Sequence, residues 1–145
     1  MTLGVGVIGC GNISAAYMRL APLFRGIEMR ACADMNPDAA AARAQEFGLR
    51  NETVDGLLAA DDIDIVVNLT IPAAHADISL RALENGKHVY AEKPFVTDLV
   101  DGRRILEKAA EKGLKVGNAP DTFFGGRWQT LRKALDSGVI GEPTG

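Results

Sequence analysis

Short runs of apolar residues alternate along the chain with stretches in which apolar residues recur every three or four positions. The short runs are rich in valine and isoleucine, which is the pattern of strands buried on both faces of a parallel sheet. The longer stretches have the spacing of amphipathic helices. The pattern predicts six strands, over residues 3–9, 27–33, 49–51, 63–69, 87–91 and 114–117, and six helices, over residues 12–24, 37–47, 54–60, 72–85, 99–112 and 127–137.

The regular alternation of strand and helix, with short connections, indicates the fold class. Parallel strands need crossover connections, these crossovers are right-handed, and helices then cover both faces of the sheet. Pro37 suits the first turn of a helix, and Gly48 and Gly86 suit helix ends. We therefore predict an α/β protein with a doubly wound parallel sheet.

Composition places the chain among globular proteins of one ordinary domain, with 145 residues, 47% hydrophobic and 24% charged residues, and a net charge of −3. A mildly acidic chain lacks the basic surface that nucleic acids and anionic membranes require. No apolar run reaches the roughly 18 residues of a membrane span, and no secretory leader is evident. Cys10 and Cys32 are too few for a disulfide framework and lack metal-ligand spacing. We expect a cytoplasmic protein with reduced thiols and no metal site.

A glycine-rich loop with the sequence Gly-Cys-Gly-Asn-Ile-Ser, residues 9–14, connects the first strand to the first helix. The first glycine would allow the tight turn, and the second would let backbone amides approach a pyrophosphate at the helix N-terminus. Ser14 stands where the dinucleotide-binding pattern has glycine or alanine, but it is small enough for close helix–strand packing. The loop alone also fits an ordinary turn. The candidate pyrophosphate-binding residues are Gly9, Gly11, Asn12 and Ile13.

Asp34 ends the second predicted strand, 20 residues beyond Ser14. An acid at this place can accept hydrogen bonds from the 2′- and 3′-hydroxyls of an adenosine ribose. The alternative is a helix cap before Pro37, a role that Asn36 could fill instead. Because a carboxylate repels a 2′-phosphate and no basic residue occurs at positions 35–37, NAD is favoured over NADP as the cofactor.

Further motifs follow in the second half: Asn-Leu-Thr-Ile-Pro at 68–72, a histidine at 75, Gly-Lys-His-Val at 86–89 and Ala-Glu-Lys-Pro at 91–94. A buried strand rarely ends in adjacent charges unless its carboxyl end faces a polar site, and ligands bind at that end in open α/β sheets. With the glycine loop and Asp34, these motifs resemble the Gfo/Idh/MocA family (glucose–fructose oxidoreductase and inositol dehydrogenase). The resemblance implies a Rossmann fold, and it continues through residues 119–126 and 138–143.

The resemblance also implies roles for residues near the nicotinamide. In the family, the Thr-x-Pro segment at the strand end lines the nicotinamide pocket, and a histidine three residues after the proline lies near the cofactor. By pattern alone, this histidine could equally be one whose hydrogen bonds are satisfied at a helix start. The Asn-Ala-Pro turn at residues 118–120 faces the cofactor in relatives. The residues implied to contact the cofactor are Thr70, Ile71, Pro72 and His75.

Lys93 is the predicted catalytic residue, because the lysine of the Glu-Lys-Pro motif usually lies beside the reacting carbon in this family. Hydride transfer from a carbinol carbon requires the hydroxyl proton to leave, and a cation beside the oxygen stabilises developing alkoxide character. Glu92 could orient Lys93 or contact the ribose, so both residues are also cofactor-binding candidates. The alternative for Lys93 is a solvated lysine before a turn proline.

Relatives in the family carry a second α/β domain, which supplies the substrate pocket, oligomer contacts and usually a histidine that completes proton transfer. We predict a Rossmann domain over residues 1–120 and a loop and helix over 121–145 that lead towards such a domain. Neither His75 nor His88 lies in the second-domain motif. A truncated domain of a larger enzyme is favoured over a natural single-domain chain. Such a domain should expose an apolar patch.

The sequence therefore predicts the NAD(P)-binding domain of an oxidoreductase that transfers hydride between nicotinamide and a hydroxyl-bearing carbon. The expected partners are a small sugar, cyclitol or related polyol and further copies of the same chain, without nucleic acid or membrane. The alternative is a stand-alone, non-catalytic NAD-binding or sensing module. A third possibility is an interaction protein that keeps the fold but not the ligand.

Overall fold

The computed structural model describes residues 2–142 and 144, apart from the side chain of Asp121. Met1, at the start of the predicted Rossmann domain, and Pro143 and Gly145, in the predicted lead-in segment, lie outside the described residues. The strands are β1 (Leu3–Ile8), β2 (Ile27–Ala33), β3 (Arg50–Glu52), β4 (Ile65–Asn68), β5 (His88–Glu92) and β6 (Val116–Ala119). They pair in parallel in the order β3-β2-β1-β4-β5-β6.

Helices follow the strands as α1 (Ser14–Leu20), α2 (Pro37–Phe47), α3 (Val54–Ala59), α4 (His75–Glu84), α5 (Leu99–Lys112) and α6 (Gly126–Asp136). Short 3₁₀ segments occupy Ala21–Leu23, Pro72–Ala74 and Asp121–Phe124. The strand order reverses between β1 and β4, which is the topological switch point of a doubly wound sheet. The predicted fold class is thereby confirmed.

Two hydrophobic clusters form the core, one on each face of the sheet. The first includes Met18 of α1 and Ala40 of α2, which pack with Val7 and other strand residues. The second includes Leu57 of α3 and Ile105 of α5, and it contains most of the larger buried side chains. Full burial of a leucine or isoleucine stabilises a fold by about 1.5–3 kcal/mol. The second face is therefore the more heavily packed one.

The face that carries α1 and α2 has an open apolar groove of about 730 Å³. Side chains of the central strands line it, including Val5, Ile65 and Val67, and Phe24 borders it with 63% of its surface exposed. The helix α6 also has exposed apolar side chains, with Trp128 at 51% and Leu131 at 44%. The described part of the chain thus exposes apolar surface, as the sequence led us to expect.

Element boundaries differ from the predicted ones by a few residues. The first helix gives way to a 3₁₀ segment at Ala21, because Pro22 has no N–H to continue the α-helical hydrogen bonds. The last strand lies two residues later than predicted, at Val116–Ala119. Leu114 is excluded from it because its N–H donates to the carbonyl of Ala109 at the end of α5. Gly48 ends α2 with a φ of 66°, as predicted.

Candidate dinucleotide-binding site

One row of paired residues crosses the sheet just before its carboxyl edge. Ile8 of β1 pairs with Ala33 of β2 on one side and with Asn68 of β4 on the other. Asn68 in turn pairs with Ala91 of β5. Because the strands are parallel, the residues that follow this row leave the sheet side by side. The edge therefore carries the predicted site segments that begin at Gly9, Asp34, Leu69 and Glu92.

The glycine loop after β1 needs its first glycine for two steric reasons. Gly9 has a φ of +105°, a backbone conformation that residues other than glycine rarely adopt. A Cβ there would also lie 2.5 Å from the backbone carbon of Leu69. At Gly11, by contrast, an added Cβ would meet nothing within 4 Å. The first glycine thus allows the backbone that follows β4 to approach the turn, and the second leaves open space above the loop.

Ser14 starts α1 and ties the glycine loop to the neighbouring helix. Its hydroxyl donates to the Gly11 carbonyl at 2.6 Å and accepts from Nε of Arg43 at 3.1 Å. The residue is fully buried, which agrees with the close packing expected at this position. The helix has no side-chain cap at its first turn, where Ile13 is the N-cap residue. The amides of Ser14 and Ala16 instead donate to the carbonyls of Gly11 and Ile13.

The carboxylate of Asp34 faces the glycine loop. Its Oδ2 accepts from the backbone N–H of Cys10 at 2.7 Å, and its Oδ1 accepts from the N–H of Asn36 at 2.8 Å. Asn36, rather than Asp34, caps α2 by accepting from the N–H of Asp38 at 3.0 Å. Asp34 is therefore held against the loop by backbone donors, and the helix-capping function belongs to Asn36.

The two cysteines lie beneath this part of the edge. Both thiols are buried, and each donates weakly to a carbonyl: Cys10 to Ala33 and Cys32 to Ala40. A hydrogen bond with Cys32, together with burial and the negative charge of Asp34, raises the pKa of the Cys10 thiol. A thiol that holds its proton in this way is inert packing rather than a nucleophile.

Asn68, the last residue of β4, organises the second half of the edge. It is fully buried, and its Nδ2 donates to the carbonyl of His75 at 3.0 Å and to Oγ of Ser79 at 3.1 Å. Its Oδ1 accepts from Oγ1 of Thr70 at 2.7 Å. The residue is absent from the predicted site residues. A buried asparagine that closes an otherwise aliphatic strand is the sequence signal that could have identified it.

His75 is the first residue of α4, and its imidazole is 1% exposed. Its Nε2 lies 2.9 Å from the carbonyl oxygen of Thr70, and its Nδ1 lies 2.7 Å from the carbonyl oxygen of Pro94. Both ring nitrogens therefore face backbone acceptors of the protein itself. The neighbouring Ile71 and Pro72 are exposed at the edge, Ile71 to 71%. A contact of these residues with the cofactor stays a prediction.

Glu92 and Lys93 leave β5 at the same edge. The Glu92 carboxylate accepts from the hydroxyl of Tyr17 at 2.8 Å and from the backbone N–H of Lys93 at 2.9 Å. The Lys93 side chain is exposed. Tyr17 projects from α1 across the switch point, and nothing in the sequence pattern separates it from an ordinary core tyrosine. Asn118 of β6 supports the same segment by donating to the carbonyls of Ala91 and Glu92.

The described residues contain no group of three or more His, Cys, Asp or Glu side chains that could hold a metal ion. Within the same residues, no helix has the length and apolar character needed to cross a membrane.

Comparison with known proteins agrees with this geometry. The family model described as "Oxidoreductase family, NAD-binding Rossmann fold" (Gfo/Idh/MocA) matches residues 3–119. The chain is 34% identical to the inositol 2-dehydrogenase/D-chiro-inositol 3-dehydrogenase of Lacticaseibacillus casei, over 99% of this chain and 43% of that protein. It is 35% identical to the dTDP-3,4-didehydro-2,6-dideoxy-alpha-D-glucose 3-reductase of Streptomyces violaceoruber, over 97% of this chain and 42% of that protein.

A solved structure is also similar: a 3-ketoreductase from Actinomadura kijaniata in complex with NADP has a TM-score of 0.89 and 34% identity. The match covers 98% of this chain and 46% of that one. The chain thus spans less than half of the length of each of these proteins. The predicted family and fold are confirmed, and the chain belongs to the Gfo/Idh/MocA oxidoreductase family, whose NAD-binding Rossmann domain it matches.

Proposed function

We propose that this chain is the dinucleotide-binding part of an NAD(P)-dependent dehydrogenase. The reaction is transfer of a hydride between the nicotinamide ring and a hydroxyl-bearing carbon of a sugar, a cyclitol or a related polyol. One observation carries the proposal: a single register row brings four chemically distinct segments to one edge of the sheet. An elongated dinucleotide along that edge would meet a phosphate-binding loop, an acid and a lysine in turn.

The glycine loop fits the pyrophosphate of the cofactor. The space above Gly11 is free of heavy atoms to 4 Å from a built Cβ, so phosphate oxygens can approach the backbone closely. The loop amides before Ser14 would supply the N–H groups, and α1 would add the positive end of its helix dipole. The backbone of Gly9, Gly11, Asn12 and Ile13 would hold the pyrophosphate.

Within this proposal, the cofactor is NAD rather than NADP. Each oxygen of the Asp34 carboxylate accepts one backbone N–H and retains a second lone pair for a ribose hydroxyl. The same charge opposes a 2′-phosphate. The first basic residue after Asp34 is Arg43, and its guanidinium bonds Ser14 and pairs with Glu46. The 3-ketoreductase relative binds NADP, so this preference rests on the chain's own residues.

Lys93 is the proposed catalytic residue. When bound, the nicotinamide supplies or accepts the hydride. The Lys93 ammonium would stand beside the substrate oxygen and stabilise the negative charge that develops as the hydroxyl proton leaves. Glu92 would orient the lysine through the bond to its backbone N–H, while Tyr17 holds the second carboxylate oxygen. Thr70, Ile71 and Pro72 would line the nicotinamide side.

We further propose that residues 121–145 lead to a substrate domain. Among the described residues, α6 contacts chiefly the Asp121–Phe124 segment and leaves Trp128 and Leu131 exposed, as a helix that meets another domain would. The whole protein would then be a cytoplasmic homo-oligomer that acts on a small polyol or sugar. A net charge of −3 gives no reason to expect nucleic acid as a partner.

Calorimetric titration with NAD and NADP tests the cofactor assignment. We expect NAD to bind and NADP to bind about tenfold or more weakly, since close like charges cost more than 1 kcal/mol. Asp34→Asn should lower the affinity for NAD about tenfold, because hydrogen bonds to charged groups contribute about 1.5–3 kcal/mol. The difference between the NAD and NADP affinities should become smaller. Asp38→Asn removes the same charge from the exposed first turn of α2 and should change neither affinity.

Two results would contradict the assignment. A folded chain that binds neither nucleotide would overturn the proposed function. Equal affinities for NAD and NADP, unchanged by Asp34→Asn, would leave the NAD(P) domain in place but reject both the role of Asp34 and the choice of NAD.

A further inference from the structure

The loops that follow β4 and β5 are not joined by strand hydrogen bonds beyond the last pair of residues in the register. The strand register ends with Asn68 opposite Ala91. Thr70 lies two residues beyond one member of this pair and Pro94 three residues beyond the other. Residues at this distance have no partner in the parallel ladder, so another contact must fix the separation of the two loops.

His75 makes that contact from both ends of its ring. Its Nε2 is 2.9 Å from the Thr70 carbonyl oxygen, and its Nδ1 is 2.7 Å from the Pro94 carbonyl oxygen. Both partners are acceptors, so each bond needs an N–H on the ring. An N–H on either ring nitrogen therefore meets a carbonyl acceptor of one of the two loops. The ring is nearly fully buried, so water cannot replace either bond at low cost.

The ring is itself held in place. The backbone carbonyl of His75 accepts from Nδ2 of Asn68, and this amide also donates to Oγ of Ser79 one turn along α4. Both Asn68 and Ser79 are fully buried. The imidazole is therefore fixed relative to the end of β4, and it transmits that position to the loop after β5.

We propose that His75 is a positioning residue whose imidazole spans the loops after β4 and β5 and sets the backbone from which Thr70 and Lys93 reach the nicotinamide. The inference rests on the proposed function. It replaces direct contact between His75 and the cofactor by an action through two carbonyl groups. Lys93 directly precedes Pro94, so a shift of the Pro94 carbonyl moves the lysine with it.

The affinities for two ligands that share the adenosine half distinguish a positioning role of His75 from a general loss of stability. NAD carries the nicotinamide, whereas ADP-ribose has the same adenosine, pyrophosphate and second ribose without it. His75→Phe keeps a ring of similar size and removes both ring nitrogens. We expect it to weaken NAD about tenfold, the equivalent of one or two lost hydrogen bonds, and to leave ADP-ribose within about twofold of the wild type. His75→Gln restores an amide donor and should recover part of the NAD affinity.

Backbone amide NMR spectra of the chain without nucleotide give the second readout. His75→Phe should shift the amides of residues 69–71 and of residues 92, 93, 95 and 96 before any ligand is added. Loss of NAD affinity with both loops unshifted would indicate direct contact with the cofactor and overturn the proposal. Equal losses for NAD and ADP-ribose, or no loss for either in His75→Phe and His75→Gln, would overturn it as well.

The outcomes of these His75 experiments can be distinguished from a failure of the proposed function and from misfolding of a variant. A wild-type chain that binds neither ligand contradicts the proposed function and not the loop bridge, because the amide shifts still test the bridge. If His75→Phe fails to fold, His75→Gln and His75→Asn carry the test, since each keeps one donor near one of the two ring nitrogen positions. Affinities of both variants equal to the wild type would then overturn the proposal.

Discussion

The two halves of the carboxyl edge are built in different ways. Around β1 and β2, the edge is shaped by backbone: a glycine at φ +105°, a helix start without a side-chain cap, and a carboxylate bound by two N–H groups. Around β4 and β5, it is shaped by polar side chains, with Asn68, His75 and Glu92 each joining separate segments. The first half requires that a Cβ be absent at Gly9, whereas the second half requires that particular polar side chains be present.

This difference has a chemical reason. A pyrophosphate is bound by main-chain amides, so the loop that binds it needs close approach and little else. Under the proposed function, the second half must hold a lysine and a pocket wall at defined positions, and such positions are held by groups that fix the first contacts. We therefore expect the first half to break through steric substitutions and the second through losses of single hydrogen bonds.

The largest effect is expected at Gly9. Gly9→Ala places a methyl group 2.5 Å from the Leu69 backbone carbon and forces a positive φ on a residue with a Cβ. The combined strain and overpacking should lower the free energy of unfolding by about 3–5 kcal/mol. Denaturant unfolding measures it.

Gly11→Ala is the matched control in the same loop, because the added Cβ meets nothing within 4 Å. Its free energy of unfolding should stay within about 0.5 kcal/mol of the wild type. NAD affinity should nevertheless fall, since the methyl group enters the space assigned to the phosphate. Similar stability losses at both glycines would contradict the steric account of the first half.

A smaller but clear effect is expected for Asn68→Ala in the second half. The substitution removes the fully buried amide that donates to the His75 carbonyl and to the Ser79 hydroxyl and that accepts from the Thr70 hydroxyl. We expect a loss of about 2–3 kcal/mol, because buried groups without partners cost about 1–3 kcal/mol each. Thermal or urea unfolding tests it. Ser79→Ala removes only one partner and should cost about 1 kcal/mol; equal costs for the two variants would argue against Asn68 as the organising residue.

Tyr17→Phe should act mostly on one segment. It removes the hydroxyl that donates to Glu92 and costs about 0.5–1.5 kcal/mol of stability. The amide of Lys93, which donates to the same carboxylate, should exchange its hydrogen several-fold faster as Glu92 gains freedom. Hydrogen exchange followed by NMR measures this. Tyr90→Phe, on a ring that covers Gly117, is the control and should leave the Lys93 amide unchanged.

The smallest effect concerns the pH dependence of the first half. Because the pKa of Cys10 is raised in the folded chain, the fold binds this proton more tightly than the unfolded chain does. The contribution of Cys10 to the free energy of unfolding is fully present below the ordinary thiol pKa of about 8.5, and it declines as the pH rises above that value. The decline by pH 9.5 should be less than about 1.4 kcal/mol. Urea unfolding at pH 7.5 and 9.5 measures it, and Cys10→Ala should flatten the difference; an unchanged slope in that variant would assign the decline to other groups.

Much of the fold could be predicted from the periodicity of apolar residues and from the residues that start and end helices. Valine- and isoleucine-rich runs separated by helical spacing are enough for a parallel α/β sheet, and Asn36, Pro37 and Gly48 act as helix boundaries where expected. The ends of β6 and α1 were predicted less well, because competing hydrogen bonds at Leu114 and the missing N–H of Pro22 decide them. Such competition between adjacent elements is invisible to a periodic pattern.

The sequence by itself determined the family, the doubly wound sheet and the glycine loop between β1 and α1, because these depend on local spacing of glycine, acid and apolar residues. Only the tertiary structure decided what holds Lys93. Tyr17 lies 75 residues from Glu92, and His75 lies 19 from Pro94. These contacts exist because β1, β4 and β5 are neighbours in the sheet, and strand order is set by the packing of the whole chain rather than by any local motif.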